Sequence, residues 1–212
     1  MIKIERFVFN TFQVNTYLLY DETNECIVID AACYEDEEKK ELGAFIEAGK
    51  LKLVRNINTH CHVDHVLGND FIAQTYSIRP EYHINSVPFL MTVKEIGYSF
   101  GYKIDRNPEP LRFIADGEEI CWGHSMLTAL FTPGHAEGSI CLYNQPQGFV
   151  ITGDVLFKDT IGRTDLPSGD FDQLMRSIKT KLFTLPDETV VYPGHGPETS
   201  IGYEKENNLF IR

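Results

Sequence analysis

The chain has 212 residues, a hydrophobic share of 42% and a formal charge of −12, with 31 acidic residues against 19 basic ones. This length suits one large domain with a full core, and 24% charged with 12% aromatic residues is a globular composition, not a disordered one. The acidic balance, without any cluster of Lys and Arg, argues against nucleic acid or an anionic membrane surface as a partner.

The opening stretch, MIKIERFVFNTF, has neither a long apolar run nor a small-residue cleavage site. No export signal or spanning helix is therefore expected, and the expected location is cytoplasmic. Five cysteines (Cys26, Cys33, Cys61, Cys121, Cys141) are scattered without a CxxC pair and read as reduced thiols.

Residues 2–9 and 14–20 read as two strands joined by a tight turn. Residues 26–30 (CIVID) form a short buried strand. Residues 36–48 read as a helix: Leu42, Phe45 and Ile46 share one face, Gly49 is a natural stop, and the charge run from Glu35 to Glu41 is its wet side. A strand over 53–58 follows, then a short helix over 65–76 and a short strand over 82–85. Ser86 is placed to cap a helix with Pro88 in its first turn and Phe89, Leu90, Val93 and Ile96 inside. Further strands fall near 111–115, 118–122, 126–132, 139–144 and 148–152. Asp170 suits the N-cap of a helix whose inward face is Leu174, Met175, Ile178 and Leu182. A last strand lies near 188–192, and a short helix follows Ser200. No repeat, low-complexity tract or linker divides the chain, so residues 1–212 are expected to form a single domain. Clustered strands with flanking helices imply two sheets packed face to face, with the helices outside.

The chemistry concentrates in Thr59-His60-Cys61-His62-Val63-Asp64-His65, directly after an apolar strand. In an extended segment His60 and His62 point the same way and Cys61 the opposite way. His60 and His62 can therefore grip one ion while Cys61 faces the protein. Asp64 and His65 follow after the chain has turned, which suits a second ion beside the first. Three more ligand types sit just beyond strand ends, each behind a glycine: His135 after Pro133-Gly134, Asp154 after Gly153, and His195 after Pro193-Gly194. Seven ligands exceed one tetrahedral zinc and suit two ions. His60, His62 and His135 are assigned to the first, Asp64, His65 and His195 to the second, and Asp154 to both. Zinc fits this donor set best, with iron or manganese as alternatives. Two cations about 3.5 Å apart lower the pKa of a shared water enough to give hydroxide at neutral pH. His83 and His124 fall outside every motif and receive no role.

The sequence resembles the metallo-β-lactamase superfamily over nearly its whole length. His60-x-His62-x-Asp64-His65 matches the HxHxDH motif, and His135, Asp154 and His195 match the remaining metal positions. The resemblance implies an α/β fold, a four-layer αββα sandwich of two mixed sheets flanked by helices, with the metals at one edge. Within the superfamily the chain is similar to short glyoxalase II-type hydrolases, on Gly153-Asp154-Val155-Leu156-Phe157, on residues 161–167 and on residues 193–199. That implies hydrolysis of a small-molecule thioester such as S-lactoylglutathione by a metal-bridging hydroxide, with Asp64 both a ligand and the group that orients the nucleophile.

Two departures stand out. Only 17 residues follow His195, so the helical C-terminal glutathione-binding domain of larger members is not expected. Where the family places a glutathione-binding Tyr, this chain has Asp165. Arg163 and Lys158 remain as cations for a substrate carboxylate, and Asp30 as an acceptor for a ligand histidine. A mononuclear-iron persulfide dioxygenase of the same superfamily shares the first motif and the run over 162–165, whereas residues 193–199 favour the hydrolase. A lactonase or β-lactamase, a phosphodiesterase or RNA nuclease, and a non-catalytic member are further alternatives.

Overall fold

The structure, a computed structural model, describes residues 1–211. The first half of the chain builds one six-stranded sheet in sequence order: β1 (Lys3–Phe9), β2 (Val14–Tyr20), β3 (Glu25–Ile29), β4 (Lys52–Ile57), β5 (Pro80–Tyr82) and β6 (Arg112–Phe113). β1 to β3 are antiparallel, and β3 to β6 run parallel. The second half supplies β7 (Glu119–Trp122), β8 (Ser125–Phe131), β9 (Ile140–Asn144), β10 (Phe149–Gly153), a small hairpin β11 (Leu156–Phe157) and β12 (Thr160–Ile161), then β13 (Val190–Pro193) and β14 (Thr199–Ser200). Its sheet has the order β14-β13-β10-β9-β8-β7, with only β10 and β13 parallel.

Side-chain alternation makes the layers. Tyr17 and Leu19 of β2, with Ile27 and Ile29 of β3, meet Leu127, Leu142, Phe149 and Ile151 of the other sheet in the central core. The intervening Leu18, Cys26 and Val28 face outward and are covered by α1 (Asp36–Ala48), through Leu42 and Ile46. Between β4 and β5 the chain forms α2 (Val63–Val66) and α3 (Asn69–Tyr76), and between β5 and β6 it forms α4 (Val87–Ser99). On the far side Cys141, Val150 and Val191 pack under α5 (Phe171–Ser177), its π-helical continuation over Ile178–Leu182, and α6 (Ile201–Asn207). Both sheets are buried on both faces, which is why so many strands read as continuous apolar runs. The result is an αββα sandwich, an α/β fold of two mixed sheets flanked by helices.

Most expected elements lie within one or two residues of their predicted ends, and the differences have local causes. The helix expected over 65–76 is split into α2 and α3. A Cβ on Gly68 would lie 2.7 Å from the Ala31 carbonyl oxygen, so the chain passes the β3 loop there without a side chain. The strand expected over 82–85 ends at Tyr82, and Ile84–Ser86 is a 3₁₀ turn. Ser86 occupies the N-cap of α4 as expected but makes no side-chain cap bond; its hydroxyl donates to the Gly138 carbonyl at 3.3 Å. The charge run on α1 is not all wet face. Glu38 closes a capping box and accepts from the backbone of Tyr34 (2.7 Å), Glu35 (3.0 Å) and Asn10 (2.6 Å).

Asp21 clamps the far edge of the sandwich. It is 3% exposed, and its carboxylate accepts from Thr23 N (2.9 Å) and Thr23 Oγ1 (2.5 Å), and across the sheets from His124 N (2.8 Å) and Ser125 Oγ (2.7 Å). Burial opposes its charge, but these donors outweigh burial and hold its carboxyl well below the usual range. A depressed folded-state pKa stabilises the fold above the unfolded value near 4 and loses that contribution as pH falls. Asp21→Asn is expected to cost about 2 kcal/mol at neutral pH. Urea midpoints followed downward from pH 5 should fall less steeply for the variant than for the parent; parallel slopes would remove the role.

Candidate metal centre

Four strand ends converge at one edge. β4 runs into the loop carrying His60 and His62, and α2 then turns the chain so that Asp64 and His65 follow. β8 precedes His135, β10 ends at Gly153 before Asp154, and β13 ends at Pro193 before His195. Gly194 permits a close approach: a Cβ there would lie 2.1 Å from Asp154 Oδ1.

All seven sequence-predicted ligands lie together. Donor atoms of His60, His62 and His135 are within 4.8 Å of one another, as are those of Asp64, His65 and His195, and those of His60, His65 and Asp154. Asp154 stands between the first two sets: its Oδ1 is 3.4 Å from His65 Nε2, and its Oδ2 is 3.4 Å from His195 Nε2 and 3.7 Å from His135 Nε2. Asp64 Oδ2 lies 3.4 Å from His195 Nε2. Cys61 lies elsewhere, buried with Val63, Tyr82, Leu90 and Val93, and burial pushes its thiol pKa up.

Four of the five rings have an acceptor behind Nδ1. His65 Nδ1 donates to Asp30 Oδ2 at 3.0 Å, His135 Nδ1 to the Arg163 carbonyl at 2.8 Å, and His195 Nδ1 to the Phe12 carbonyl at 2.9 Å. His60 Nδ1 meets Thr59 Oγ1 at 3.1 Å, and that hydroxyl spends its own proton on Asp30 Oδ2 at 2.7 Å. Carbonyls and carboxylates only accept, so each Nδ1 carries a proton, and whenever a ring is neutral its Nε2 is left with the lone pair that faces the cluster. His62 instead presents Nδ1, 2.9 Å from His135 Nε2. Asp30 thus lies behind His65, and the Phe12 carbonyl, the Arg163 carbonyl and Thr59 lie behind His195, His135 and His60.

The electrostatics divide the same way. Burial, then the neighbouring His65 and His62 rings, hold His60 well below its ordinary pKa, and burial with His135 pushes His62 down to about 4. Burial opposes charge on His65 too, but Asp154, Asp64 and Asp30 outweigh it and raise its pKa well above the ordinary value. His195 is raised to about 9, its burial overcome by hydrogen bonds to Asp154 and Asp64. Both Asp64 and Asp154 are held low by these rings against the opposing effect of burial.

This environment fits divalent cations. His60 Nε2, His65 Nε2 and Asp154 Oδ1 are buried without a hydrogen-bond partner, although each points into the cluster. Such orphaned atoms are costly unless something electrophilic meets them. Five imidazoles and two carboxylates, with no thiolate, suit zinc, iron or manganese.

A family model described as the metallo-beta-lactamase superfamily matches residues 9–195. The chain belongs to this superfamily. Similar superfamily members include a probable metallo-hydrolase of Bacillus subtilis, 33% identical over 211 residues, with 99% of this chain and 98% of that protein covered. The hydroxyacylglutathione hydrolase GloC of Haemophilus influenzae is also 33% identical, over 212 residues, with the same coverages of 99% and 98%. Among solved structures, the B3 metallo-beta-lactamase BLEG-1 superposes with a TM-score of 0.89 at 30% identity, covering 100% of this chain and 99% of its own. A di-iron-bound protein, TTHA1623, superposes with a TM-score of 0.87 at 29% identity, covering 97% and 99%. Among the described residues no helix is long and apolar enough to cross a membrane.

Asp154→Ala removes the one carboxylate that contacts both donor sets. Metal retention should drop sharply, and catalytic rate by about 100-fold or more. Cys61→Ala should leave metal content unchanged. Elemental analysis after dialysis checks both, and the opposite pattern would overturn the assignment of the facing residues.

Proposed function

We propose that this superfamily member is a dinuclear-metal hydrolase of small-molecule thioesters such as S-lactoylglutathione. The observation that carries the reading is the pair of three-donor sets on either side of Asp154. His60, His62 and His135 would hold one ion, Asp64, His65 and His195 the other, and Asp154 both. When bound, such a pair supplies Lewis acidity toward a carbonyl and a water of lowered pKa. A relative named as a hydroxyacylglutathione hydrolase and a di-iron neighbour support the same reading.

The chain's own groups have definable work. Asp64 stays ionised between His65 and His195, so it is acceptor-only and can fix an attacking water by taking its hydrogen bond. Asp30, Thr59 and the Phe12 and Arg163 carbonyls hold the Nδ1 protons, so a neutral ring offers its Nε2 lone pair to the reacting side. Phe89 stands edge-on to His62, with ring centroids 5.1 Å apart, and Phe157 lies 6.3 Å from His195, so each flank carries an aromatic ring. A thiolate leaves without protonation at neutral pH more readily than an alkoxide or amide, so no general acid is required.

The test combines elemental analysis with assay. A loaded preparation should hold two ions per chain and release glutathione from S-lactoylglutathione. One ion per chain, with oxygen uptake on glutathione persulfide, would replace this reading by the mononuclear-iron dioxygenase. Faster hydrolysis of a β-lactam or a lactone would keep the metals and replace the thioester.

The two candidate substrate cations are both engaged. Arg163 forms a two-pronged pair with Asp165, Nε to Oδ1 and Nη2 to Oδ2, each at 2.7 Å, on an exposed surface. Lys158 Nζ sits 5.8 Å from the centroid of the Tyr203 ring. Asp165 therefore competes with any substrate carboxylate for Arg163. S-lactoylglutathione should show a high KM. Asp165→Asn should lower that KM several-fold with kcat little changed, because the released contact is shared by ground and transition states. Steady-state kinetics of Asp165→Asn and Arg163→Ala check this: Arg163→Ala should raise KM, and indifference of KM to both changes would place the carrier elsewhere.

A further inference from the structure

The β1–β2 turn, residues 10–13, lies against the second donor set. Two of its residues are left-handed, Asn10 at φ 55° and Gln13 at φ 58°, and Gln13 N donates to the Asn10 carbonyl at 3.1 Å. Asn is among the few side chains that tolerate this conformation. Its amide is also fully used. Asn10 Nδ2 donates to the Asp64 carbonyl and to the Ala32 carbonyl, each at 3.0 Å, and Asn10 Oδ1 accepts from Phe12 N at 2.9 Å. The Phe12 carbonyl in turn accepts the His195 Nδ1 proton at 2.9 Å. Glu38 Oε1 braces the turn from α1, accepting Asn10 N at 2.6 Å.

One amide therefore reaches two of the three second-set ligands, the backbone of Asp64 and, through Phe12, the ring of His195. The supports of the first set run elsewhere: Thr59 Oγ1 behind His60 and the Arg163 carbonyl behind His135. The second set has an open flank at His195, whose side chain is 27% exposed against 3% for His135, although its His65 is fully buried. An open site depends more on the groups that aim its ligands.

We infer that Asn10 is a positioning residue that sets the affinity of the second metal site, the one formed by Asp64, His65 and His195, independently of the first. The inference rests on the dinuclear reading. Loss of its side chain frees the Phe12 carbonyl and the α2 backbone to shift, and His195 and Asp64 then no longer converge. Outer partners of metal ligands act on affinity by 10- to 100-fold.

The experiment uses the loaded full chain, dialysed against a graded chelator series and analysed for zinc per chain. Asn10→Gly removes the amide and keeps the left-handed backbone accessible. Asn10→Asp keeps that backbone and the acceptor for Phe12 N, but replaces both donated hydrogen bonds with a carboxylate facing two carbonyls. Asn24→Gly, at another left-handed Asn (φ 64°) in the β2–β3 turn, reports the effect of a merely structural change. The parent and Asn24→Gly should lose their two ions at the same chelator strength. Both Asn10 variants should keep one ion at parent affinity and lose the other at 10- to 100-fold weaker chelation.

Double variants identify the site. Asn10→Gly with His195→Ala should still hold one ion at parent affinity, because both changes act on the same site. Asn10→Gly with His62→Ala should hold none tightly. If Asn10→Gly fails to fold, Asn10→Asp carries the same comparison. Equal weakening of both ions, parent behaviour in both Asn10 variants, or the reverse pattern in the double variants overturns the inference while leaving the dinuclear reading intact. A parent chain that holds a single ion overturns both.

Discussion

The Asp30 carboxylate is the constraint on which the metal edge depends. It sits at the end of β3, 1% exposed and in the left-handed conformation at φ 52°. One oxygen takes Thr59 N at 2.7 Å; the other takes Thr59 Oγ1 at 2.7 Å and His65 Nδ1 at 3.0 Å. Three donors around one buried carboxylate satisfy its charge and at the same time fix β4's exit loop and α2. Because Thr59 Oγ1 also backs His60, the constraint reaches both donor sets through one residue.

The two sheets meet around that point through backbone. Ile140 N donates to the Thr59 carbonyl at 2.8 Å, which joins the start of β9 to the loop of the first histidines. Asn15, on β2 and 1% exposed, donates from Nδ2 to the Pro193 and Gly196 carbonyls, each at 2.9 Å, and its own N–H reaches the Gly194 carbonyl at 2.7 Å. Tyr17 adds a hydroxyl to Pro193 at 2.7 Å. The loop bearing His195 belongs to the second sheet in sequence and is held by the first in space. The convergence of ligands is thus a property of how the sheets dock, and the central core of Tyr17, Ile29, Leu142 and Ile151 holds that docking.

Much of this arrangement is legible in the residues. Alternation within strands tells inward from outward residues, and the strand-end glycines announce His135, Asp154 and His195. The same alternation places Cys61 away from His60 and His62. What escapes has a common physical character. A backbone carbonyl exists at every residue, so nothing in the letters marks those of Phe12 and Arg163 as the acceptors behind His195 and His135. Arg163 shows the difficulty sharply: its side chain attracts attention, yet its guanidinium is paired with Asp165 while its carbonyl reaches the cluster. The β11–β12 hairpin has two-residue strands, too short for any period to register. The break between α2 and α3 answers a close approach at Gly68 that only the folded chain contains.

The span of the ligands along the chain has a consequence for biogenesis. Residues 60 to 65 can emerge with the strands around them, but Asp154 and His195 arrive only after most of the second sheet has been made. The clasp at Val14 and His195 joins β2 to a segment far along the chain. Pairings of such long sequence separation close late and fold slowly. Until then a nascent chain presents a cluster of imidazoles with no Asp154 between them, and a strand edge with no Pro193 loop to occupy it. The donor set of Asp64, His65 and His195 is accordingly complete only when the His195 loop has reached the β1–β2 hairpin.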